Sequence, residues 1–291
     1  MSHSYRRLQP LPPGAGARQS ARMRPHRIQY LLQHLLPGRC LLCDTPLPPA
    51  SAVDLCEYCL AALPWNIAAC PRCGEPERHA ASAPEPCRRC REQPPPFDLT
   101  VAPLRYEASP RQWVGRLKDH LGMVEGLLLG MLLADAAAER YADPALTRPT
   151  ALLPVPLTWH RLARRGHNQA LALAVPVARR LEVPVWRRAA VRRRQGPKQR
   201  GLSRVGRMQN PMGAFACRRR WNEPGPCLGI VDDVMTTGTT AAELTRVLLE
   251  AGAGAVHVLC ATRTPPPAGP EVPVREPGST GDAAPTHRYD R

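Results

Sequence analysis

The sequence predicts an α/β fold with a mostly parallel sheet and flanking helices, preceded by a small cysteine-rich domain. Eight of the eleven cysteines lie before residue 91 and form four Cys-x-x-Cys pairs. A proline-rich linker follows at Pro94–Pro96, and short apolar segments then alternate with segments of helical period. Such alternation is typical of a parallel sheet that is covered by helices on both faces.

The composition indicates two modest domains with unpacked ends in a chain of 291 residues. Residues 1–27 and 264–291 are rich in Pro, Gly, Ala, Ser and Arg and have no helical or strand period, so we expect disordered tails. A helix with the cysteine-rich domain then spans residues 28–93, and the α/β domain spans residues 94–263.

The net charge of +16 favours an anionic partner such as nucleic acid, a phosphorylated metabolite or a membrane surface. The codon bias of a genome rich in G and C would also raise the arginine content, so charge alone does not identify the partner. No apolar run is long enough to span a bilayer, and the N-terminus lacks the apolar core of a secretion signal. We therefore expect a cytoplasmic protein without a membrane span, whose cysteines are reduced.

A short helix is predicted directly before the cysteine pairs, and Pro37 with Gly38 ends its pattern. We interpret it as a packing helix, with a membrane-surface helix as the alternative. The apolar residues at helical spacing are Ile28, Leu31, Leu32, Leu35 and Leu36.

The four cysteine pairs predict two structural zinc ions. Two thiolates separated by two residues can face one ion from a tight turn, and two such turns complete a tetrahedral sulfur shell. The intervals of twelve, ten and thirteen residues between pairs fit the short hairpins of zinc ribbons. With four sulfur ligands, no coordination position stays open for catalysis. The predicted ligands are Cys40, Cys43, Cys56, Cys59, Cys70, Cys73, Cys87 and Cys90.

Spacing leaves alternatives open for these cysteines. Sequential pairing would place the first four on one ion and the last four on the other, whereas a cross-braced arrangement would mix them. A disulfide scaffold is expected in an oxidising compartment, and a redox Cys-x-x-Cys accompanies a thioredoxin-like pattern of strands and helices. Because bulky apolar residues are scarce between Cys40 and Cys90, metal binding would supply much of the folding free energy of this segment.

The elements of the second domain are predicted from apolar runs and helical periodicity. Strands are expected over residues 101–106, 151–157, 227–231 and 255–261. Helices are expected over most of residues 111–140, over 169–181 and over 240–251.

The segment LGIVDDVMTTGTT, residues 228–240, predicts a ligand site at the carboxyl end of a strand, where open α/β sheets bind ligands. The strand brings Asp232 and Asp233 to this edge, and a hydroxyl-rich loop leads into a helix with a capping pattern, Thr240 followed by Glu243. Backbone N–H groups and threonine hydroxyls would bind a phosphate there. The loop consists of Thr236, Thr237, Gly238, Thr239 and Thr240.

Adjacent carboxylates beside a phosphate site indicate a sugar phosphate. They would repel the phosphate but accept hydrogen bonds from sugar hydroxyls, so Asp232 and Asp233 would hold the 2- and 3-hydroxyls of a ribose 5-phosphate. Neither GxxxxGK[ST] nor GxGxxG after a strand occurs, which argues against a P-loop ATPase and a Rossmann dinucleotide site. The alternative is a polar turn that only caps a helix.

The sequence VDDVMTTGTT resembles the motif of type I phosphoribosyltransferases that binds 5-phosphoribosyl 1-pyrophosphate (PRPP). Over residues 28–263 the chain is similar to the ComF family, also called the GntX-like or double-zinc-ribbon phosphoribosyltransferase family. The similarity includes PVPLTWHRLARRGHNQA at residues 154–170 and RRRQGPKQRGLSRVGRMQNPMGAF at residues 192–215. The chain departs from the family at His167, where Phe is usual, and at Gly196, where Thr is common. These departures concern substrate contacts rather than the phosphate site.

The resemblance implies a type I phosphoribosyltransferase-like fold and displacement of pyrophosphate from C1 of PRPP by a nucleophile, usually with Mg2+. Asp232 and Asp233 would hold the ribose hydroxyls and reach the metal through water, and the threonine loop would hold the 5-phosphate. We expect the pyrophosphate side to carry Lys118, Arg164 and Arg165, and a flexible loop to carry Lys198, Gln199 and Arg200.

Three hypotheses follow for the function. The chain transfers a phosphoribosyl group to an unknown acceptor, or it senses PRPP without turnover, as some type I relatives do. The ComF resemblance also implies an accessory of DNA uptake or DNA utilisation that binds single-stranded DNA or a DNA-translocase partner. Residues 183–222 contain no acidic side chain, which suits a phosphate track, a mobile lid or a solvated basic loop.

Overall fold

The computed structural model describes residues 38–48, 51, 53–76, 85–119, 122–193 and 213–266. The predicted helix before the cysteine pairs, the predicted N-terminal tail and most of the predicted C-terminal tail lie outside these residues. The predicted flexible loop with Lys198, Gln199 and Arg200 also lies outside them. All of these remain predictions.

Short strands and helices alternate along most of the described chain. The helices are α1 (Glu57–Ala61), α2 (Arg88–Glu92), α3 (Ala108–Lys118), α4 (Met123–Arg140), α5 (Trp159–Arg165), α6 (Gln169–Leu181) and α7 (Thr239–Glu250). The strands are β1 (Leu99–Val101), β2 (Leu104–Arg105), β3 (Ala151–Pro154), β4 (Ala190–Arg192), β5 (Phe215–Cys217), β6 (Cys227–Met235) and β7 (Ala255–Arg263).

The chain divides into two compact units, residues 1–62 and 63–291. The first unit contains α1 and the first two cysteine pairs, and the second contains the last two cysteine pairs together with all the strands named above. The second metal-binding segment is therefore part of the same compact unit as the sheet.

A parallel sheet with the strand order β1-β7-β6-β3 forms the centre of the second unit, and β2 also pairs with β7. β6 pairs with β7 along its whole length, and β3 pairs with the first part of β6. The predicted mostly parallel sheet with flanking helices is thus confirmed. β4 and β5 form a separate two-stranded antiparallel sheet.

Helices bury the strands from both faces, as the apolar strand sequences require. Leu228 and Ile230 of β6 have no exposed surface and pack in one cluster with Leu244 and Leu248 of α7. Burial of each such side chain stabilises the fold by about 1.5–3 kcal/mol. None of the helices in the described ranges has the length and apolar character to cross a membrane.

Two predicted elements are interrupted in the structure. The strand expected over residues 101–106 is split into β1 and β2 around Pro103, because proline has no N–H for the ladder. The helix expected over residues 111–140 is split into α3 and α4. The chain folds back so tightly at Gly122 that a Cβ there would overlap the carbonyl carbon of Arg116.

Two predicted strands are longer in the structure, and one of them, β7, ends at Arg263 instead of Ala261. β6 continues beyond the predicted end at Val231 to Met235, because β7 runs beside it as far as Arg263. Asp232 and Asp233 therefore lie within the last part of a paired strand rather than after it.

Candidate functional site

Two groups of four cysteines have the geometry of metal sites. In each group the sulfur atoms lie within 4.8 Å of one another. The Sγ atoms of Cys43 and Cys56 are 3.6 Å apart, and those of Cys73 and Cys87 are 3.8 Å apart. A tetrahedron with Zn–S bonds of about 2.3 Å has edges of about 3.8 Å, so both groups fit zinc. The groups are Cys40, Cys43, Cys56 and Cys59, and Cys70, Cys73, Cys87 and Cys90.

The grouping of the cysteines is sequential, which is the simpler of the two predicted arrangements. All eleven cysteines are free. The closest sulfur pairs named above are also much farther apart than the roughly 2.05 Å of a disulfide bond. The cross-braced and disulfide alternatives are therefore excluded, and two structural zinc sites remain.

Hydrogen bonds favour a thiolate in each group. The Cys73 thiol, together with backbone N–H groups, lowers the pKa of Cys70 to about 4. The N–H groups of Cys73 and Cys87 lie 3.5 and 3.3 Å from Cys70 Sγ. Burial opposes ionisation of Cys40, but backbone N–H groups outweigh it and lower the pKa of Cys40 to about 6. Because thiolates are the metal-binding form, both groups suit a soft cation.

The loop after β6 leads into the start of a helix. Gly238 is the N-cap of α7 and has a φ of +79°, which glycine tolerates best. A Cβ at this position would also lie 2.7 Å from the Met235 side chain. The hydroxyl oxygens of Thr237 and Thr239 are 2.6 Å apart. The first N–H groups of an α-helix have no intrahelical partner and carry the positive end of its dipole, so this loop suits an anion.

The predicted capping box of Thr240 and Glu243 is wrong. α7 begins one residue earlier, at Thr239. The buried Glu243 carboxylate instead accepts a hydrogen bond of 2.7 Å from Gly213 N and lies 3.4 Å from Arg246 Nη1. A contact across 30 residues has replaced the local one.

Asp232 and the threonine loop line the same cleft at the carboxyl edge of the sheet. The cleft has a volume of about 40 Å³ and is lined by Asp232 and residues 234–241 together with Val258. One water molecule needs about 10–15 Å³ by this measure, so the cleft admits a group of about the size of a phosphate. A larger ligand would extend from its open side.

Asp232 is the acid of the pair that faces this cleft. Its Oδ1 accepts a hydrogen bond of 2.9 Å from the backbone N–H of Asp233. Burial raises the pKa of the Asp232 carboxyl well above its ordinary value, and the charge of Asp233 adds to the rise. The charge of Lys118 opposes it. Protein groups thus compensate the negative charge of the Asp232 carboxylate only in part. The site therefore favours a ligand that donates hydrogen bonds to this carboxylate.

Asp233 is buried and lies against Lys118 instead. The distance between Asp233 Oδ2 and Lys118 Nζ is 3.1 Å. The contact is an ion pair rather than an aligned hydrogen bond, because Oδ2 has no hydrogen-bond partner among the described residues. Lys118, expected on the pyrophosphate side, therefore lies beside the acid pair at the end of α3.

Further cations come from α5 and β4. Arg164 and Arg165 lie in the last turn of α5. Burial lowers the pKa of Arg161 on the same helix, and the charges of Arg165 and Arg164 lower it further. Burial and the charge of Arg161 lower the pKa of Arg192, whereas Asp232 raises it. Arg161 and Arg192 were not among the site residues predicted from the sequence. Helical spacing from Arg161 to Arg164 and Arg165 was the available signal for the first.

His167 connects this basic turn to the helix that carries Lys118. Its Nδ1 lies 2.8 Å from Arg165 O, and its Nε2 lies 2.9 Å from Leu117 O. A Phe at this position, which the family resemblance leads one to expect, has no ring nitrogen for either contact. The polar ring therefore helps to place the end of α3 next to Asp233.

Two four-cysteine centres and a parallel α/β domain, with acids and a hydroxyl-rich loop at one sheet edge, define a double-zinc-ribbon protein with a candidate anion site. The family model of the double zinc ribbon domain matches residues 31–91. The chain is 34% identical over 230 residues to the DNA utilization protein YhgH of Escherichia coli K12, and the match covers 79% of this chain and 98% of that protein. It is 31% identical over 224 residues to competence protein F of Haemophilus influenzae, with 76% and 94% of the two chains covered. The chain belongs to the ComF family, as its sequence motifs predicted.

Solved phosphoribosyltransferases match part of the chain. Glutamine PRPP amidotransferase from B. subtilis matches with a TM-score of 0.35 and 19% identity over 52% of this chain and 30% of that one. Purine phosphoribosyltransferase from Pyrococcus horikoshii matches with a TM-score of 0.29 and 16% identity over 45% and 71%. At these scores the likenesses are weak.

Proposed function

We propose that the chain binds PRPP at the carboxyl edge of its sheet and transfers the phosphoribosyl group to a nucleophile. The observation that carries this proposal is that Asp232 and the loop Thr236–Thr240 line one cleft. The N–H groups at the start of α7 and the threonine hydroxyls would hold the 5-phosphate. Asp232 would accept hydrogen bonds from the ribose hydroxyls on the open side of the cleft.

The reaction would be a substitution at C1 of the ribose. The nucleophile forms a bond to C1, and the C1–O bond breaks with its electron pair leaving on pyrophosphate. Asp232 and Asp233 would stabilise the positive charge that develops on the ring. Arg164 and Arg165 would neutralise the pyrophosphate, and Lys118 would add positive charge there while it remains paired with Asp233.

Mg2+ would supply further neutralisation of the PRPP charges. Only one carboxylate of the pair, that of Asp232, lines the cleft. A single carboxylate together with substrate phosphates and water suits Mg2+, which keeps several waters when it binds phosphorylated substrates.

Calorimetric titration of the zinc-loaded protein with PRPP and Mg2+ tests the binding. We expect saturable heat for one site per chain, and competition by ribose 5-phosphate. An assay of pyrophosphate release with a panel of nucleobases then separates transfer from sensing, because a sensor would bind PRPP and release no pyrophosphate. Absence of heat with the wild-type protein would contradict both.

A second candidate function is binding of single-stranded DNA around the two-stranded sheet of β4 and β5. A cleft of about 480 Å³ is lined by residues 215–220, which contain β5, and by Val247, Glu250 and Ala251. Many arginines with few acids suit a phosphate backbone, and two relatives carry the names DNA utilization protein and competence protein F. The exposed arginines at this sheet are Arg187, Arg188, Arg193, Arg218, Arg219 and Arg220.

The aromatic residues beside the sheet of β4 and β5 favour phosphate contacts over base stacking. Trp186 stacks on Trp221 with a centroid distance of 5.9 Å, and Arg219 covers the Trp186 ring at 4.3 Å. Both tryptophans are partly buried. Their faces are thus already in contact with protein groups, whereas base-stacking platforms present open faces.

Replacing Arg218, Arg219 and Arg220 together by Gln should weaken binding of an oligothymidylate and make it less sensitive to salt. Each lost phosphate contact reduces the slope of log affinity against log salt by about 0.7 for single strands, so three contacts give about 2. Fluorescence anisotropy over a salt series measures the slope. Arg179 and Arg180, in the last turn of α6, provide the control pair. Wild-type affinity that is absent or independent of salt would contradict this function.

A further inference from the structure

Arg263, the last residue of β7, is a fully buried cation at the end of the sheet. Its exposed fraction is only 1%. A buried charge is costly unless hydrogen bonds and an opposite charge compensate it. Its donors contact Cys73 O at 3.0 Å, Met235 O at 3.0 Å, Thr264 O at 2.9 Å, Glu75 Oε2 at 3.1 Å, and Thr236 O.

One side of this network is the second cysteine group. The carbonyl of Cys73, a predicted zinc ligand, accepts the hydrogen bond from Arg263 Nε. Glu75 follows the same turn and also pairs with Arg89 at 2.8 Å. Arg89 lies on α2, the short helix that has the ligand Cys87 as its N-cap and contains the ligand Cys90. Both Cys-x-x-Cys turns of this group are thereby connected to one guanidinium.

The other side of the network is the threonine loop. Met235 and Thr236 turn their carbonyl oxygens toward Arg263 Nη1. In a trans peptide the N–H lies opposite the C=O, so the N–H groups of Thr236 and Thr237 are directed away from the guanidinium. Both residues line the cleft. The guanidinium thus determines how the first two peptide units of the loop are oriented.

Apolar packing joins the same two parts. Cys70, Cys73 and Cys90 belong to one buried cluster with Phe97 and Met235. The Phe97 ring also lies beneath the loop, because a Cβ at Gly238 would be 3.8 Å from it. A displacement of the second cysteine group would therefore reach the loop through packing as well as through hydrogen bonds.

We propose that Arg263 is a positioning residue that couples the second four-cysteine zinc site to the phosphate-binding loop, so that an intact second site sets the affinity of the loop for the sugar phosphate. This inference rests on the proposed function of the loop. It assigns the second zinc a role in ligand binding, whereas the first zinc lies in the other compact unit.

The test uses Glu75→Gln and Arg263→Lys in the full chain. Glu75→Gln keeps the size of the side chain but removes the charge shared by two arginines, and Arg263→Lys keeps the charge but loses the planar fork of donors. Glu92→Gln is the matched control, because Glu92 is an exposed acid that pairs only with Arg88 among the described ion pairs. For each variant we would measure the zinc content by mass spectrometry and the ribose 5-phosphate affinity by calorimetry. We would also measure the amide hydrogen exchange of residues 235–240.

We expect both variants to retain two zinc ions per chain, to bind ribose 5-phosphate at least 10-fold more weakly, and to exchange the loop amides faster, while Glu92→Gln matches the wild type. Wild-type affinity and exchange in both variants would overturn the coupling and leave the proposed function intact. If the wild-type protein itself does not bind ribose 5-phosphate or PRPP, the proposed function fails, and the exchange rates still decide whether the zinc site and the loop are coupled.

Discussion

An Asp232→Asn variant should bind PRPP about 10- to 100-fold more weakly than the wild type, because each hydrogen bond to a charged group contributes about 1.5–3 kcal/mol. Asp232 is the better target of the two acids, since it lines the cleft and keeps its hydrogen bond from Asp233 N when the carboxylate becomes an amide. Replacing Asp233 would instead leave Lys118 without its partner. Calorimetric titration with PRPP and Mg2+ measures the loss.

The same variant should be more stable than the wild type near neutral pH. Burial and the charge of Asp233 raise the pKa of Asp232 in the folded protein, so the folded state holds this proton to a higher pH than the unfolded chain does. As pH rises above about 4, the Asp232 carboxyl of the unfolded chain ionises more readily than that of the folded protein, so the wild type loses stability. The neutral amide of the variant avoids this loss. Below that pH the two proteins should unfold at the same temperature.

A variant that binds PRPP more weakly but is more stable has lost a ligand contact. A variant with a damaged fold would bind more weakly and also be less stable. Asp135→Asn on α4 is the matched control, because the Asp135 side chain is 71% exposed and lies 3.6 Å from Arg180. It should change neither property. Equal PRPP affinity of wild type and Asp232→Asn would show that the carboxylate does not contact the ribose.

A Cys70→Ser variant should lower the unfolding temperature of the α/β unit by more than about 10 °C, whereas Cys43→Ser should leave that transition almost unchanged. Structural zinc contributes about 10–16 kcal/mol in small metal-dependent domains, which is comparable with the whole stability of a typical protein. Cys70 is buried in the unit that contains the sheet, and Cys43 is exposed in the other unit.

Zinc analysis and differential scanning calorimetry test this difference. Both variants should lose one of two zinc ions, so zinc content alone does not distinguish them. The temperature of the main unfolding transition does distinguish them. Equal shifts in the two variants would contradict the assignment of the second zinc site to the stability of the α/β unit.

The most accurate predictions from sequence concern features that depend on neighbours in the chain. The Cys-x-x-Cys turns place two sulfurs within a few residues, and the structure groups them as four plus four. The helix over residues 169–181 was predicted with its observed bounds from its apolar period, and in the structure Asn168 Oδ1 caps it by accepting a hydrogen bond from Ala170 N. The capping box at Thr240 failed because Glu243 has a partner at Gly213.

The acid pair shows the limit of a local pattern. Two consecutive strand residues point to opposite faces of a sheet. Asp232 accordingly lines the cleft, and Asp233 is buried against Lys118. The adjacent letters predicted one common role for the two acids, whereas the structure places only Asp232 in the cleft and brings Lys118 to Asp233.

The sequence by itself determined the metal ligands, the order of strands and helices around the ligand loop, and the family, because these depend on spacings within one turn, one strand or one helix. Only the tertiary structure decided that the second cysteine group belongs to the same unit as the sheet, and that Arg263 joins Cys73 to the threonine loop across 190 residues of sequence. The physical reason is that a buried charge takes its partners from whichever segments the fold brings within hydrogen-bonding distance, and no local pattern records that choice.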